Sequence, residues 1–346
     1  MIATYKDIFA QFSDEEPTKI TPCHIGLINT TVFVDTALAS YVLQKINTEV
    51  FKKPNEVMAN IALVTAHLKK KGIPTLTFLK TKEGSDCYAD KNGVWRLSEK
   101  LDGKTYNDPT PALLEQGAEA FGIFQNALSD FDASQLYETI PDFHNTPARI
   151  KALENAIAVC PENRIRESVV PVQMAMHYAS QASYIQKLLD CGALPLRVVH
   201  NDTKINNVLL SESGGVVLDL DTVMPGSLLF DFGDAIRSGA STRPEGSVDF
   251  EGFGIDLERY EAFLRGFLKG VGKSLTETEK KLLPFSAFTL AYELGVRFLT
   301  DYLQGDVYFK VTYPEENLDR AKGQLYLAKH IFSRLDELSA LSKKYI

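Results

Sequence analysis

The apolar residues of this chain recur with two different periods, and the change from one to the other divides the sequence. Between residues 20 and 98, short runs rich in β-branched residues predict strands, and residues 55–70 carry apolar positions spaced as on one helical face. After residue 102 the long apolar stretches have helical spacing. The pattern predicts an α+β, bilobal protein: a small β-rich lobe, residues 1–101, and a larger, mainly helical lobe, residues 102–346.

Within this division, the predicted strands of the first lobe lie at 31–34, 41–44, 75–80 and 94–98. The second lobe is predicted to hold helices at 111–130, 169–191, 257–270, 276–302 and 318–344, and two strands at 196–199 and 216–220. Ligand sites favour the crevice where two such parts meet. We therefore expect the functional residues between the lobes.

The most informative polar run lies between the two strands of the helical lobe and reads His-Asn-Asp-Thr-Lys-Ile-Asn-Asn over residues 200–207. Asp202 can take the proton of an acceptor hydroxyl, and Lys204 can neutralise a phosphoryl group during transfer. Asn207 and Asp219 offer the oxygen ligands that Mg²⁺ prefers. The set predicts phosphoryl transfer from a nucleotide. The alternative is a surface loop followed by a strand-end cap at Asp219.

Taken together, these residues resemble the aminoglycoside phosphotransferase and choline kinase superfamily, small relatives of the protein kinases with the catalytic pattern His-x-Asp-x-x-x-x-Asn. The longer run from Asp219 to Asp234, and the segment 297–308, are similar to the bacterial N-acetylhexosamine 1-kinases. The resemblance covers nearly the whole chain. It implies a protein-kinase-like fold that uses Mg²⁺ and ATP to phosphorylate the anomeric hydroxyl of an N-acetylhexosamine.

The nucleotide phosphates are expected on the β-rich lobe. Gly26 lies in a turn between strands, where backbone amides can approach a phosphate. The turn resembles the Gly-x-Ile-Asn-x-Thr turn of the family, which implies that Asn29 and Thr30 contribute beside Gly26. A plain hairpin turn is the alternative.

The lysine that the family presents to the phosphates from its third strand has no direct match, because the run 41–44 ends in Gln44 and Lys45 follows. Adjacent strand residues point to opposite faces, which leaves two possibilities. Either Gln44 replaces the ammonium group with a carboxamide, or a local bulge turns Lys45 inward. In the second case Glu56 is the candidate partner of Lys45, and an exposed helical Glu is the alternative.

For adenine, the resemblance implies recognition by the main chain at the inter-lobe hinge, at Glu99 and Leu101. Trp95, a little earlier, is expected in the core. For the sugar, the resemblance implies contacts with Asp202, Arg297 and Tyr308.

Arg297 lies on an apolar helix, where a buried guanidinium needs acceptors. The hydroxyl and acetamide oxygens of a sugar would serve. The alternative is a salt bridge to Glu293 or Asp301, each four residues away along the helix.

Two short motifs are expected to be misleading. Asp231-Phe232-Gly233 matches the metal-binding tripeptide of protein kinases, but it follows Pro225-Gly226 rather than ending a strand. Asp231 and Asp234 are instead expected to open a helix or to brace the catalytic loop. Gly272-Lys273-Ser274 ends like a phosphate-binding P-loop, but it lacks the earlier glycine and follows a helix.

Charge and composition narrow the partners. The chain has 37 Lys and Arg against 45 Asp and Glu, a net charge of −8, and no long basic run, which argues against nucleic acid. No apolar stretch is expected to approach a membrane span, and the start is unlike a signal peptide, so a cytoplasmic protein is predicted.

Two rival functions stay open. A superfamily kinase for choline, an aminoglycoside or another sugar is one, although a cationic acceptor would favour an aromatic cage or an acidic cleft over Arg297. A pseudokinase that binds nucleotide without turnover is the other. Only the missing glycines and Gln44 favour it.

Overall fold

The computed structural model describes residues 2–23 and 28–346. Its first part is a six-stranded sheet in the order β1-β2-β3-β6-β4, with β5 paired to the N-terminal end of β6, and every pairing is antiparallel. The strands are β1 (Lys19–Cys23), β2 (Thr30–Asp35), β3 (Ser40–Ile46), β4 (Phe78–Leu79), β5 (Tyr88–Asp90) and β6 (Gly93–Glu99).

The two faces of this sheet have different neighbours. Val32, Leu43 and Leu97 form a cross-strand row and are fully buried beneath helix α1 (Ile2–Phe9), which contributes Phe9 to the same core. The opposite face looks toward the second part of the molecule. Helix α2 (Pro54–Lys70) joins the two parts, because its predicted apolar stripe packs into the large core of the helical part.

The second part is mainly helical. It has a hairpin, β8 (Val208–Ser211) with β9 (Gly214–Val217), and a short pair, β7 (Arg197–Val199) with β10 (Met224–Gly226). Its helices are α3 (Pro111–Ala127), α4 (Thr146–Val159), α5 (Glu162–Glu167), α6 (Val169–Ala182), α7 (Tyr184–Asp190), α8 (Leu228–Gly239), α9 (Leu257–Val271), α10 (Glu277–Gln304), α11 (Glu316–Ser333) and α12 (Leu335–Ser342). The small sheet and larger helical part predicted from the sequence are confirmed.

Several boundaries differ from the prediction. The helix expected over 169–191 is two helices, and Ser183 between them turns its hydroxyl onto the Ala179 carbonyl at 2.8 Å, a local bond that competes with helix continuation. The helix expected over 318–344 also breaks, at Arg334. The strand expected over 75–80 is only two residues long.

Helix α10 is the longest element, with 28 residues. A capping box between Thr276 and Glu279 begins it, and Gly305, with φ +97°, ends it. Among the described residues it is the one helix that is long and apolar enough to cross a membrane. By these two criteria, the expectation that no stretch approaches a membrane span is wrong. However, 78% of its most apolar window is buried inside the protein, as in a core helix.

Candidate active site

The polar run 200–207 forms the loop between β7 and β8, and a buried carboxylate holds its backbone. Asp231 accepts the amide hydrogens of His200, at 2.9 Å, and Asn201, at 2.7 Å. The side chain of Gln125 donates to the same carboxylate at 2.6 Å. Burial raises the pKa of Asp231, and these donors offset part of that cost. Asp231 thus lies inside α8 and braces the loop, as the sequence argued.

His200 connects this loop to the strand end that carries Asp219. Its Nδ1 accepts the amide hydrogen of Asp202 at 3.2 Å, so Nε2 carries the proton and donates to the Leu218 carbonyl at 2.7 Å. The ring is fully buried. His200 therefore has a structural role: both ring nitrogens are hydrogen-bonded to the backbone, and neither faces the cleft.

Asp202 is half-buried and is held by two predicted neighbours. Lys204 Nζ lies 2.9 Å from Asp202 Oδ1, and Asn207 Nδ2 donates to Asp202 Oδ2 at 3.0 Å. Burial works against the charge of Lys204, but the carboxylates of Asp202 and Asp234 outweigh it, and the pKa of Lys204 is raised. The structure thus brings Asp202, Lys204 and Asn207 together around a carboxylate that can accept a proton.

Asp219 lies next to Asn207 across the hairpin, because Leu218 donates its amide hydrogen to the Asn207 carbonyl at 2.8 Å. Its backbone is left-handed, with φ +52°, a conformation that Asp tolerates better than most residues. Close packing around the carboxyl, with the negative charges of Asp221 and Asp202, raises the pKa of Asp219 to about 7. Solvent still reaches the side chain. A divalent cation would relieve this repulsion.

The donor set fits Mg²⁺. Asn207 uses its amide hydrogens on Asp202, which leaves Oδ1 for a ligand, and no described residue donates a hydrogen bond to the Asp219 carboxylate. Within residues 2–23 and 28–346, no three His, Cys, Asp or Glu side chains cluster as a complete metal site. One carboxylate and one amide oxygen suit an ion that takes its other ligands from water and nucleotide phosphates.

The register of β3 decides between Gln44 and Lys45. Residues 40–46 pair without interruption with β2 and β6, placing Gln44 opposite Arg96 and Lys45 opposite Trp95. The bulge that would turn Lys45 toward the cleft is therefore absent, and Gln44 lies on the cleft face. Glu56, the candidate partner of Lys45, instead forms a salt bridge with Lys53 at 2.9 Å on the surface. Trp95 is a core residue, as expected.

Arg96 is the residue that sequence reasoning missed. Its Nε donates to Gln44 Oε1 at 3.0 Å, and its guanidinium forms a buried ion pair with Asp221. Asn29 Nδ2 donates to the other oxygen of Asp221 at 2.6 Å. This set ties the sheet to the segment just after Asp219, and we refer to Arg96, Asp221 and Asn29 as the clasp. Strand alternation from the core residue Trp95 was the available signal.

The other residues that were predicted to bind the nucleotide have these positions. Gly26 lies outside the described residues. Asn29 spends both ends of its side chain on the protein, since Oδ1 also accepts the Asn47 amide hydrogen at 2.9 Å, and Thr30 is exposed at the start of β2. Glu99 ends β6 and donates its amide hydrogen to the Thr77 carbonyl at 3.0 Å. The Leu101 amide makes no hydrogen bond to any described residue.

Among the residues predicted to bind the sugar, Arg297 has its guanidinium between two aromatic rings, 5.0 Å from the centre of Phe143 and 5.7 Å from that of Phe309. It forms no ion pair or hydrogen bond with a described residue. The carboxylate of Glu293 instead lies 2.7 Å from His144 Nδ1 and accepts a hydrogen bond from the Thr146 hydroxyl, also at 2.7 Å. The alternative of a salt bridge between Arg297 and Glu293 is therefore wrong.

Asp301 is also engaged elsewhere. It accepts the amide hydrogens of three consecutive residues, Val307 at 3.0 Å, Tyr308 at 2.8 Å and Phe309 at 2.9 Å. The salt bridge from Arg297 to Asp301 is thus wrong as well. The carboxylate instead fixes the segment that carries Phe309 over Arg297 and leaves Tyr308 exposed.

His144 connects the surroundings of Arg297 to the loop 200–207. Its Nε2 lies 3.3 Å from the carbonyl of Asn201, the residue before Asp202, and its ring contacts Phe143 edge-on at 4.7 Å. Asp202 and Arg297 are therefore positioned by one continuous set of contacts.

Comparison with known proteins defines the class. A model of the phosphotransferase enzyme family, APH, matches residues 19–267. The chain belongs to this family. The kinase-like fold implied by the sequence resemblance is confirmed.

Three solved structures share the fold. An aminoglycoside phosphotransferase from Alicyclobacillus acidocaldarius is 12% identical with a TM-score of 0.66, and the match covers 98% of this chain and 96% of that one. An amicoumacin kinase in complex with AMP-PNP and Ca²⁺ is 13% identical, with a TM-score of 0.60 and coverage of 99% and 93%. A choline kinase from Cryptosporidium parvum is 13% identical, with a TM-score of 0.58 and coverage of 92% and 89%.

Proposed function

We propose that this phosphotransferase is an ATP-dependent N-acetylhexosamine 1-kinase, acting on N-acetylglucosamine or N-acetylgalactosamine. The observation that carries the proposal is that the loop of Asp202 is connected to two sets of unused groups. Asn207 and Asp219 keep free oxygens next to Asp202. The contacts of Phe143 and His144 connect the same loop to the Arg297 guanidinium, which has no partner among the described residues. The sequence similarity of the runs 219–234 and 297–308 supports the sugar assignment.

In this proposal Asp202 takes the proton of the anomeric hydroxyl, and Lys204 offsets negative charge on the phosphoryl group. Mg²⁺, held by Asn207 and Asp219, would neutralise the nucleotide phosphates. Arg297 and Tyr308 orient the sugar so that the anomeric oxygen points at Asp202. The amicoumacin kinase complex supports a nucleotide and a divalent cation in this fold.

The nucleotide lies along the sheet in this proposal. Glu99 and Leu101 read adenine through their main chain, and the segment with Gly26, Asn29 and Thr30 lies over the phosphates. Gln44, on the cleft face, takes the position of the lysine of the family. We also propose a lobe boundary between residues 101 and 102, and a cytoplasmic protein with no membrane or nucleic-acid partner.

The test is a substrate panel followed by phosphorus NMR of the product. N-acetylhexosamines should be consumed faster than the parent hexoses, because polar groups built around an amide stay unpaired when it is absent. The product phosphorus should couple to the anomeric proton. A sugar 6-phosphate, or turnover of choline with none of any sugar, contradicts the sugar 1-kinase assignment and leaves the family membership intact.

Asp202→Asn should lower kcat by at least about 100-fold, with little change in ATP affinity, because only proton acceptance is removed. Asp7→Asn is the matched control, an exposed carboxylate on α1. A kcat within about threefold of the parent protein would exclude Asp202 as the base.

A further inference from the structure

A second arginine lies beside Arg297. Arg149 is on α4, which packs against α10, and its Nη2 donates to the Phe143 carbonyl at 3.2 Å. Arg297 contacts the ring of the same Phe143. Phe143 therefore holds two guanidinium groups, one by its backbone and one by its side chain.

Both guanidiniums have donors left over. Arg149 Nε is buried and has no hydrogen-bond partner among the described residues. Arg297 donates to no described residue at all. A guanidinium has five N–H donors, and a buried donor without an acceptor is costly. The pair has the chemistry of a site that is completed by acceptor oxygens from a ligand.

The carboxylates around the pair do not supply those oxygens. Glu293 is taken by His144 and Thr146, and Asp142 accepts from Asn145 Nδ2 at 2.8 Å. Burial, with the positive charge of Arg297, lowers the pKa of Arg149, while Glu293, Tyr308 and Asp142 act in the opposite direction. The two guanidiniums therefore repel each other, and a ligand with negative or partly negative oxygens would relieve that repulsion.

The two arginines are also connected to the loop that carries Asp202, the proposed base. Phe143 is next to His144, whose ring contacts the carbonyl of Asn201, and Asp202 follows. Phe143 and Phe309 flank the guanidinium of Arg297 with apolar ring faces. We expect a substrate whose hydroxyl lies at Asp202 to extend along these residues toward the two guanidiniums.

We propose that Arg149 and Arg297 together form a two-guanidinium site that binds the carbonyl or carboxylate oxygens of the alcohol substrate and excludes alcohols with a positive charge. The inference rests on the proposed function for the position of the reacting hydroxyl, and it deepens that function by assigning Arg149 to substrate binding. The acetamide of an N-acetylhexosamine and the carboxylate of a hexuronic acid share the required chemistry. Choline, aminoglycosides and glucosamine lack it.

The first experiment compares Arg149→Met with Arg149→Lys. Arg166→Met is the matched control, because Arg166 is an exposed arginine on α5. Michaelis constants are measured separately for N-acetylglucosamine and for ATP. Arg149→Met should raise the constant for the sugar about 10- to 100-fold and leave that for ATP within about twofold, because a charge-assisted bond to the sugar alone is lost. Arg149→Lys should recover part of the loss, and Arg166→Met should change neither constant.

The second experiment measures charge selection. N-acetylglucosamine, glucuronate and glucosamine share one ring, and the last is used at a pH where its amine is protonated. The parent protein should accept the first or the second and discriminate against glucosamine. The double variant Arg149→Met/Arg297→Met should narrow that discrimination, because the repulsion between guanidinium and ammonium is gone. Glucuronate preferred over N-acetylglucosamine would identify the oxygens as a carboxylate.

Three results would overturn the inference. One is efficient turnover of glucosamine or choline by the parent protein. Another is equal loss for sugar and ATP in both Arg149 variants together with a lowered melting temperature, which indicates a structural arginine. The third is an unchanged Michaelis constant for the alcohol in Arg149→Met. If no N-acetylhexosamine is a substrate but another neutral or anionic alcohol is, the sugar assignment fails, and the inference stands when Arg149→Met raises the constant for that alcohol.

Discussion

The arginines on the two sides of the cleft differ in whether the protein supplies their hydrogen-bond acceptors. On the sheet side, Arg96 is buried with Gln44 and Asp221 as partners. On the side where we propose that the alcohol binds, Arg297 is held between aromatic rings without a hydrogen-bond acceptor among the described residues, and Arg149 keeps an unpaired Nε. Buried polar groups are normally satisfied. An arginine satisfied by the protein therefore indicates architecture, whereas an unsatisfied arginine at a cleft indicates a ligand.

The largest effect is expected at the clasp. Arg96→Met leaves the carboxylate of Asp221 buried without its counter-charge and should lower the free energy of unfolding by about 3 to 5 kcal/mol. Urea denaturation measures this. Adding Asp221→Asn should recover a large part of the loss, because the charge is removed and an acceptor for Asn29 is kept. If Arg96→Met were as stable as the parent protein, the clasp would not be structural.

Arg297→Met, in contrast to Arg96→Met, should affect substrate binding much more than stability. The free energy of unfolding should stay within about 1 kcal/mol, since no protein partner is left unpaired. The Michaelis constant for the acceptor should rise roughly 10- to 150-fold, and that for ATP should hardly change. Steady-state kinetics with each substrate varied in turn gives both values. A large loss of stability with no kinetic effect would remove the contrast between the two arginines.

The smallest effect is expected at Glu56. Its pair with Lys53 lies on the surface of α2, and such pairs contribute about 0 to 1 kcal/mol. Glu56→Ala should therefore change neither stability by more than this nor the Michaelis constant for ATP. A marked rise in that constant would restore Glu56 as a partner of a phosphate-binding group and weaken the assignment of Gln44 to the cleft face.

The sequence was informative wherever the signal is local. Three features could be predicted without knowing the fold. They are the spacing of Asp202, Lys204 and Asn207 within one loop, the apolar stripe of α2, and the location of Asp231 in a helix rather than at the end of a strand. The structure brings the three loop residues together and places Asp231 in a helix. Short spacing limits where side chains can lie, so such predictions carry over directly.

Pairs formed across the fold could not be predicted in this way. Arg96 meets Asp221 from 125 residues away, and Gln44 could be separated from Lys45 only by the ladder with β2 and β6. Arg149 lies on α4, whose buried residues are few, so its helix gave a weak periodic signal. Which acceptors an arginine reaches depends on tertiary packing, and this is why the ion pair of the clasp and the shared contact of Arg149 and Arg297 with Phe143 could not be predicted from the sequence.

The attachment of the segment after α10 has a consequence for how this fold can diversify. One helical carboxylate, Asp301, grips three successive amides, and Asn317 at the start of α11 adds a bond to the same group at 2.9 Å. The segment between Gly305 and Glu316 is thus attached to α10 near both of its ends. Surface loops tolerate exchange far better than packed helices. If the proposed function is correct, replacing this segment while Asp301 and Asn317 are kept should change the preference for the alcohol and leave the rest of the fold unchanged.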